Sequence, residues 1–235
     1  MFLPGIAAAF ALILIACPAG TGGGEYNGLG KKLNISGRVY TRDIDTINYG
    51  VNYAEYKDNL SVSDGGIGGT GKIEKGRLSY SIGEPALIEV DEGLAMLQKM
   101  YDGVKFNPAD ARASVVNLTI TDNPDYILLS REKIDIKQLS LDCEFVSFAY
   151  VDRDVTVTAD GDSFRFDGFD IPMEITTEII NLKLKKGWNA VCGRITGEPK
   201  FSLVTGVELS GNLSISVGDP SSLKWTLSSS QELLF

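Results

Sequence analysis

The hydrophobic and polar positions of this 235-residue chain change rhythm after the first sixteen residues. From Leu33 onward, apolar residues alternate with polar ones in short runs punctuated by Gly, Asn and Asp, the period of half-buried strands. Leu33, Ile35, Gly37 and Val39 fall on one face, against Asn34, Ser36, Arg38 and Tyr40. Leu78, Tyr80 and Ile82 repeat the habit. The same reading predicts strands over 115–121, 145–151, 155–158, 163–166, 176–184, 188–195, 209–217 and 223–227. In the 176–184 run, Ile180, Leu182 and Leu184 share a face opposite Asn181 and Lys183. Asp160-Gly161 predicts a hairpin turn between 155–158 and 163–166, because that pair tolerates positive φ. One stretch keeps a different period: Leu94, Leu97, Met100 and Tyr101 follow Asp91 and Glu92 at helical spacing, and Gly103 closes the run. It predicts a short helix near residues 92–102, packed on a sheet. A second short turn is expected at Asn107 to Ala111, with Asn as cap and Pro108 at the first position. The fold class that follows is mainly β, an antiparallel sandwich or open barrel. Its two β-rich regions, 33–103 and 104–235, form either one domain or two.

The opening of the chain is not strand-like. Ile6 to Ala16 are apolar without interruption, a run of about 16 Å as a helix against roughly 30 Å of bilayer hydrocarbon. A short apolar run ending in small residues reads as a secretory signal rather than a transmembrane helix. Its last residues, Leu14-Ile15-Ala16-Cys17, resemble the lipobox of bacterial lipoproteins. The resemblance implies a lipid on the thiol of Cys17, cleavage after Ala16 and a signal peptide over residues 1–16. Residues 1–16 hold no Lys or Arg, so the charge that normally precedes such a core comes from the amino terminus or from upstream of Met1. Residues 17–32, with Gly22-Gly23-Gly24 at their centre, read as a flexible tether. Tyr150 to Thr158 and Leu184 to Asn189 resemble text in small β-rich lipoproteins of spirochaetes, mostly of unassigned function. That likeness implies a cell-surface or periplasmic address and brings no active site.

Composition narrows the chemistry. The net charge of −9 and a pI near 4.6 argue against nucleic acid, whose affinity rests on Lys and Arg neutralising phosphates. The chain has no histidine, which removes Ser-His-Asp and Cys-His mechanisms and every His-ligated zinc site. Cys143 and Cys192 remain once Cys17 is assigned to lipid. Export permits a disulfide between them, while their apolar surroundings equally suit two buried thiols.

Gly66 to Lys72 has the G-x-x-x-x-G-K skeleton of a phosphate loop, but Ile73 follows where Ser or Thr is required and strand text follows where a helix is required. A glycine-rich hairpin loop is the better reading. Asp152, Asp154, Asp160, Asp162, Asp167 and Asp170 form the densest acidic run, without a completed calcium loop. Trp188, directly after Lys186-Gly187, is the candidate ligand-facing aromatic. The expectation is a lipid-anchored envelope protein, non-catalytic, that binds a protein or glycan or contributes structure, with no cofactor or metal. The alternatives are a secreted glycan-active enzyme using carboxylates and a surface-fibre or adhesin subunit joined by strand exchange.

Overall fold

The computed structural model describes residues 28–45, 50–89, 103–123, 125–137, 140–166, 173–202, 206–218 and 222–229. Every regular element among them is a strand. Cys17 and the helix expected near 92–102 lie outside the described residues.

The alternation at the start of the fold is realised in β1 (Leu33–Asp45). Leu33, Ile35 and Val39 are buried while Asn34, Ser36 and Arg38 are exposed. β1 lies antiparallel to β5 (Arg77–Ile82), whose Leu78, Tyr80 and Ile82 are buried in turn. β5 pairs with β4 (Thr70–Glu74) through a two-residue turn at Lys75 and Gly76, both with positive φ (48° and 70°). Such turns match the twist of the flanking strands. A side chain at Gly76 would also run into the Tyr56 carbonyl. β4 pairs with β3 (Leu60–Ser63), and β3 with β9 (Leu118–Ile120). β9 pairs with β10 (Tyr126–Lys137), and β10 with β18 (Lys224–Ser229). β18 returns to β1, closing a ring of seven strands. The β1–β18 pair is parallel and short, matching Val39, Tyr40 and Thr41 with Trp225, Thr226 and Leu227. β2 (Gly50–Glu55) extends the far end of β1.

β10 also carries the sheet out of the ring. Its second half pairs with the first half of β11 (Ser140–Val151), from Arg131↔Val146 to Lys137↔Ser140. The second half of β11 pairs instead with β8 (Arg112–Val116), which runs through Asn117 into β9. β8 and β9 therefore wedge the fork between β10 and β11. β6 (Ile88–Glu89) borders β8. Beyond β11 the sheet continues through β16 (Gly187–Ser202), β17 (Gly206–Val217), β14 (Met173–Thr177) and β13 (Ser163–Phe166). A second sheet of β7 (Lys105–Asn107), β12 (Val155–Ala159) and β15 (Ile180–Leu184) covers it.

Two cores result. Val146, Phe148 and Tyr150 of β11 face the first, with Val39, Tyr80 and Leu227. Phe145 and Val151 face the second, with Val157, Leu182 and Leu213. From Phe145 to Val151 both faces of β11 are thus buried, and the text there is apolar except at Ser147 for that reason.

Three local expectations are corrected. Asp160-Gly161 does not close a hairpin, because β12 pairs with β15 and β7 while β13 pairs with β14 in the other sheet. The chain crosses between layers there, and Gly161 passes so close to Thr177 that an added Cβ would sit 2.7 Å from its carbonyl oxygen. The 176–184 run is not one strand: β14 ends at Thr177 and β15 begins at Ile180 in the covering sheet. The buried face Ile180, Leu182, Leu184 is as expected. The turn expected at Asn107 to Ala111 is present, closed by Ala111 N–H donating to Pro108 O at 3.3 Å, but Asn107 ends β7 instead of capping a helix.

Candidate functional site

β1 is paired along one edge and incompletely along the other. Val39 N–H donates to Gly76 O and Val39 O accepts from Tyr56 N–H, both at 2.9 Å. The main-chain groups of Val39 therefore point toward the β5 and β2 side. Main-chain direction alternates along a strand, so the N–H and C=O of Asn34, Ser36 and Arg38 point to the opposite edge. There β18 supplies a partner only from Val39 onward. Among the described residues, no strand pairs with Leu33 to Arg38 on that side.

The gap is a groove of about 750 Å³ in the barrel wall. Leu33, Leu223, Phe148 and Trp225 form its apolar floor. Trp225 stacks on Phe148 with ring centroids 6.3 Å apart and planes at 21°. Gly37 makes room for it: a Cβ at this position would stand 2.8 Å from Trp225 Cδ1.

The rim carries charge of one sign. Lys32, Arg38, Arg131 and Lys224 line the groove, and among the described residues no carboxylate does. The Arg131 guanidinium lies 6.0 Å from the centroid of the Trp225 ring. Lys224 Nζ sits 4.3 Å from the Tyr53 ring and 5.0 Å from the Tyr40 ring, contacts in which aromatic faces hold a cation. Arg38 is tied to Glu55 at 2.7 Å, a pair that is about half exposed on both sides. Behind the rim, Glu132 is opposite Lys224 in register and is itself bound by Arg42 and Ser130 Oγ. Both members of the Arg42–Glu132 pair are only 8% exposed, so that carboxylate is committed to the wall. Tyr53 closes this patch, its hydroxyl accepting from Ile134 N–H at 2.8 Å. Burial, the largest influence, pushes its pKa up to about 12.

Trp188, the aromatic expected to face a ligand, is fully buried. Its indole N–H donates to Gly83 O at 2.8 Å and its ring meets Tyr150 edge-on at 5.4 Å. The turn before it does not expose it, because Leu29 and Gly30 lie against its backbone: Leu29 N–H donates to Trp188 O and Trp188 N–H to Gly30 O, each at 2.7 Å. Trp225, itself only 6% exposed in the first core, is the tryptophan that lines the groove. Its signal, a tryptophan between Lys224 and Thr226 in an alternating run, is ordinary strand text.

Cys143 and Cys192 form no disulfide. They sit on neighbouring strands, paired with Ile195 and Val146 respectively. Cys192 faces the first core and Cys143 the second, so the sheet itself separates the thiols and the disulfide expectation fails. The glycine-rich loop joins β3 to β4 as a hairpin. Its amides are used internally: Asp64 accepts from Gly66 N–H at 3.0 Å, Gly69 N–H at 2.5 Å and the Tyr80 hydroxyl at 2.9 Å. A carboxylate of the chain thus fills the place a phosphate would take.

The acidic run is likewise occupied with turns. Asp152 accepts from Arg112 N–H at 3.0 Å and pairs with Arg153, which holds its carboxyl below the usual range. Asp154 accepts from Lys186 N–H at 2.8 Å, with the same effect. Asp160 is exposed, and Asp162 bonds the neighbouring Ser163 N–H. Asp167 and Asp170 lie outside the described residues.

No family model matches the chain, and no curated protein or solved structure matches it.

Proposed function

We propose that this protein is a non-catalytic binding module of the bacterial cell envelope, held to a membrane by lipid on Cys17, and that the groove beside β1 holds an anionic partner. One observation carries the reading. On a chain of net charge −9, the groove collects four cationic side chains, one of them paired with Glu55, over an apolar floor, and no carboxylate among the described residues lines it. A concave site in which polar groups converge is a candidate ligand site. A glycan-active enzyme needs two carboxylates roughly 5–9.5 Å apart across its substrate, and the lining of this groove supplies none.

Trp225 makes the proposal measurable, since it lies in the floor of the groove. Poly-L-glutamate and hyaluronate, added to the full chain at low salt, are expected to change tryptophan emission, whereas poly-L-lysine leaves it unchanged. Reversing two exposed charges, Lys32→Glu with Lys224→Glu, is expected to weaken binding by about tenfold or more. Raising the salt weakens it further by screening. Equal binding of polycation and polyanion, or none of either, overturns the reading.

A further inference from the structure

We propose that the occupant of the groove is an extended, acidic polypeptide segment of another protein, which adds to the barrel as a strand along the open edge of β1. This rests on the groove being the binding surface and names what it binds and how.

The open edge is the first argument. Asn34, Ser36 and Arg38 present three N–H donors and three C=O acceptors to the groove, with no strand across from them among the described residues. Exposed edges are templates for another chain, and proteins ordinarily shorten, cover or charge them. Here the edge is in register, flat enough to pair β5 without a shift from Leu33 to Arg38 on its other side. A strand of six residues beside it would run about 20 Å.

The second argument is the shape of the vacancy. β18 leaves the β1 edge at Trp225, and the floor below is apolar, formed by Phe148, Trp225, Leu33 and Leu223. An added strand places alternate side chains on this floor and the others outward. Main-chain bonds then hold the segment while every second side chain lies over this floor, the arrangement seen when strands add to sheets.

The third argument is charge. Lys32 lies at one end of the open edge, and Arg38 and Lys224 at the other. A lysine on an edge can serve simply to block pairing. In that role it acts through repulsion, and two copies joined symmetrically through β1 do set Lys32 and Arg38 against like residues. A segment with Glu or Asp at alternate positions meets opposite charge instead. The same rim therefore disfavours self-pairing and favours an acidic guest.

The test uses the full chain in detergent and two ten-residue peptides, one alternating Glu and Thr, the other Lys and Thr. Amide hydrogen exchange is followed residue by residue. The acidic peptide is expected to slow exchange at Asn34, Ser36 and Arg38 by about tenfold or more, leaving the already bonded amides of Ile35 and Gly37 as they were. The basic peptide does nothing. Ser36→Pro removes one open-edge donor and leaves the β5 pairing intact, as proline is tolerated where an edge N–H faces outward. It is expected to abolish peptide binding, while Ser36→Ala binds like the parent and both keep the parent near-ultraviolet circular dichroism. Charge-sensitive binding without protection of the three amides, unaffected by Ser36→Pro, overturns strand addition and leaves the anion-binding reading standing. Protection that grows with protein concentration and needs no peptide assigns the edge to a second copy and overturns the proposal. Failure of every polyanion to bind sinks both readings together.

Discussion

Gly37 and Trp225 show how one absent side chain shapes the groove. The indole lies where a Cβ on residue 37 would be, at 2.8 Å from Cδ1, and an atom placed there must push either the ring or strand β1. Overfilling a packed site costs typically 1–3 kcal/mol. Gly37→Ala is therefore expected to destabilise the fold by about 1–2 kcal/mol in urea unfolding and to shift tryptophan emission in the folded state. An emission spectrum identical to the parent would show that the ring does not rest on Gly37. The two tryptophans also mark how far residue-level reading reaches. Both stand in alternating text, and the turn before Trp188 argues for exposure, yet Gly30 covers the start of β16 and Trp188 is sealed inside. Trp225 is equally strand-like in sequence, and it lines the groove because β18 first pairs with β1 at Trp225, leaving the earlier part of that edge open. Which aromatic faces the groove depends on contacts between residues far apart in the chain, and neither local period nor turn chemistry encodes them.

At the scale of elements, alternation within a strand was legible and membership of a sheet was not. The buried faces of β1, β5 and β15 follow the apolar positions in the text. Asp160-Gly161 has the composition of a hairpin, but β12 and β13 belong to different layers. The glycine serves the crossing: its Cα passes the Thr177 carbonyl too closely for a Cβ at 2.7 Å. Asp162 N–H donates to Thr177 Oγ1 at 2.8 Å, and Thr177 N–H to Asp162 O at 2.7 Å, locking the same point. Gly161→Ala is expected to cost about 1–3 kcal/mol and to loosen the second core first. Hydrogen exchange should then accelerate in β12, β14 and β15 while β1, β5 and β18 stay protected. Uniform acceleration across both cores would mean that the crossing is not a local weak point. The open edge of β1 was invisible for a related reason. The alternation of Leu33 to Val39 states which face is buried, and says nothing about which edge lacks a neighbour.

On the scale of the whole molecule, the closing contact joins the first strand to the last. β1 and β18 are separated by most of the chain and meet in parallel over three residue pairs, a non-local match that no sequence window contains. Placing the first and last described strands at one seam puts the groove beside Leu29, and so on the side of the fold from which the chain leads back toward the proposed lipid site at Cys17. Intact mass of the protein from a bacterial host, beside Cys17→Ser, is expected to show a mature species beginning at Cys17 with added acyl mass, lost in the variant. A product cut elsewhere and free of lipid would make the protein a secreted one.

The docking of Leu29 and Gly30 on Trp188 sets a leash length. If Cys17 carries the proposed lipid, the twelve residues from there to Leu29 span at most about 40 Å. On that proposal the groove, whose lining includes Leu29 and Lys32, lies in the layer of solvent next to the lipid headgroups. The proposed guest would then project from that same membrane or thread down to it, and the search for a partner would begin among its neighbours in the plane of the membrane.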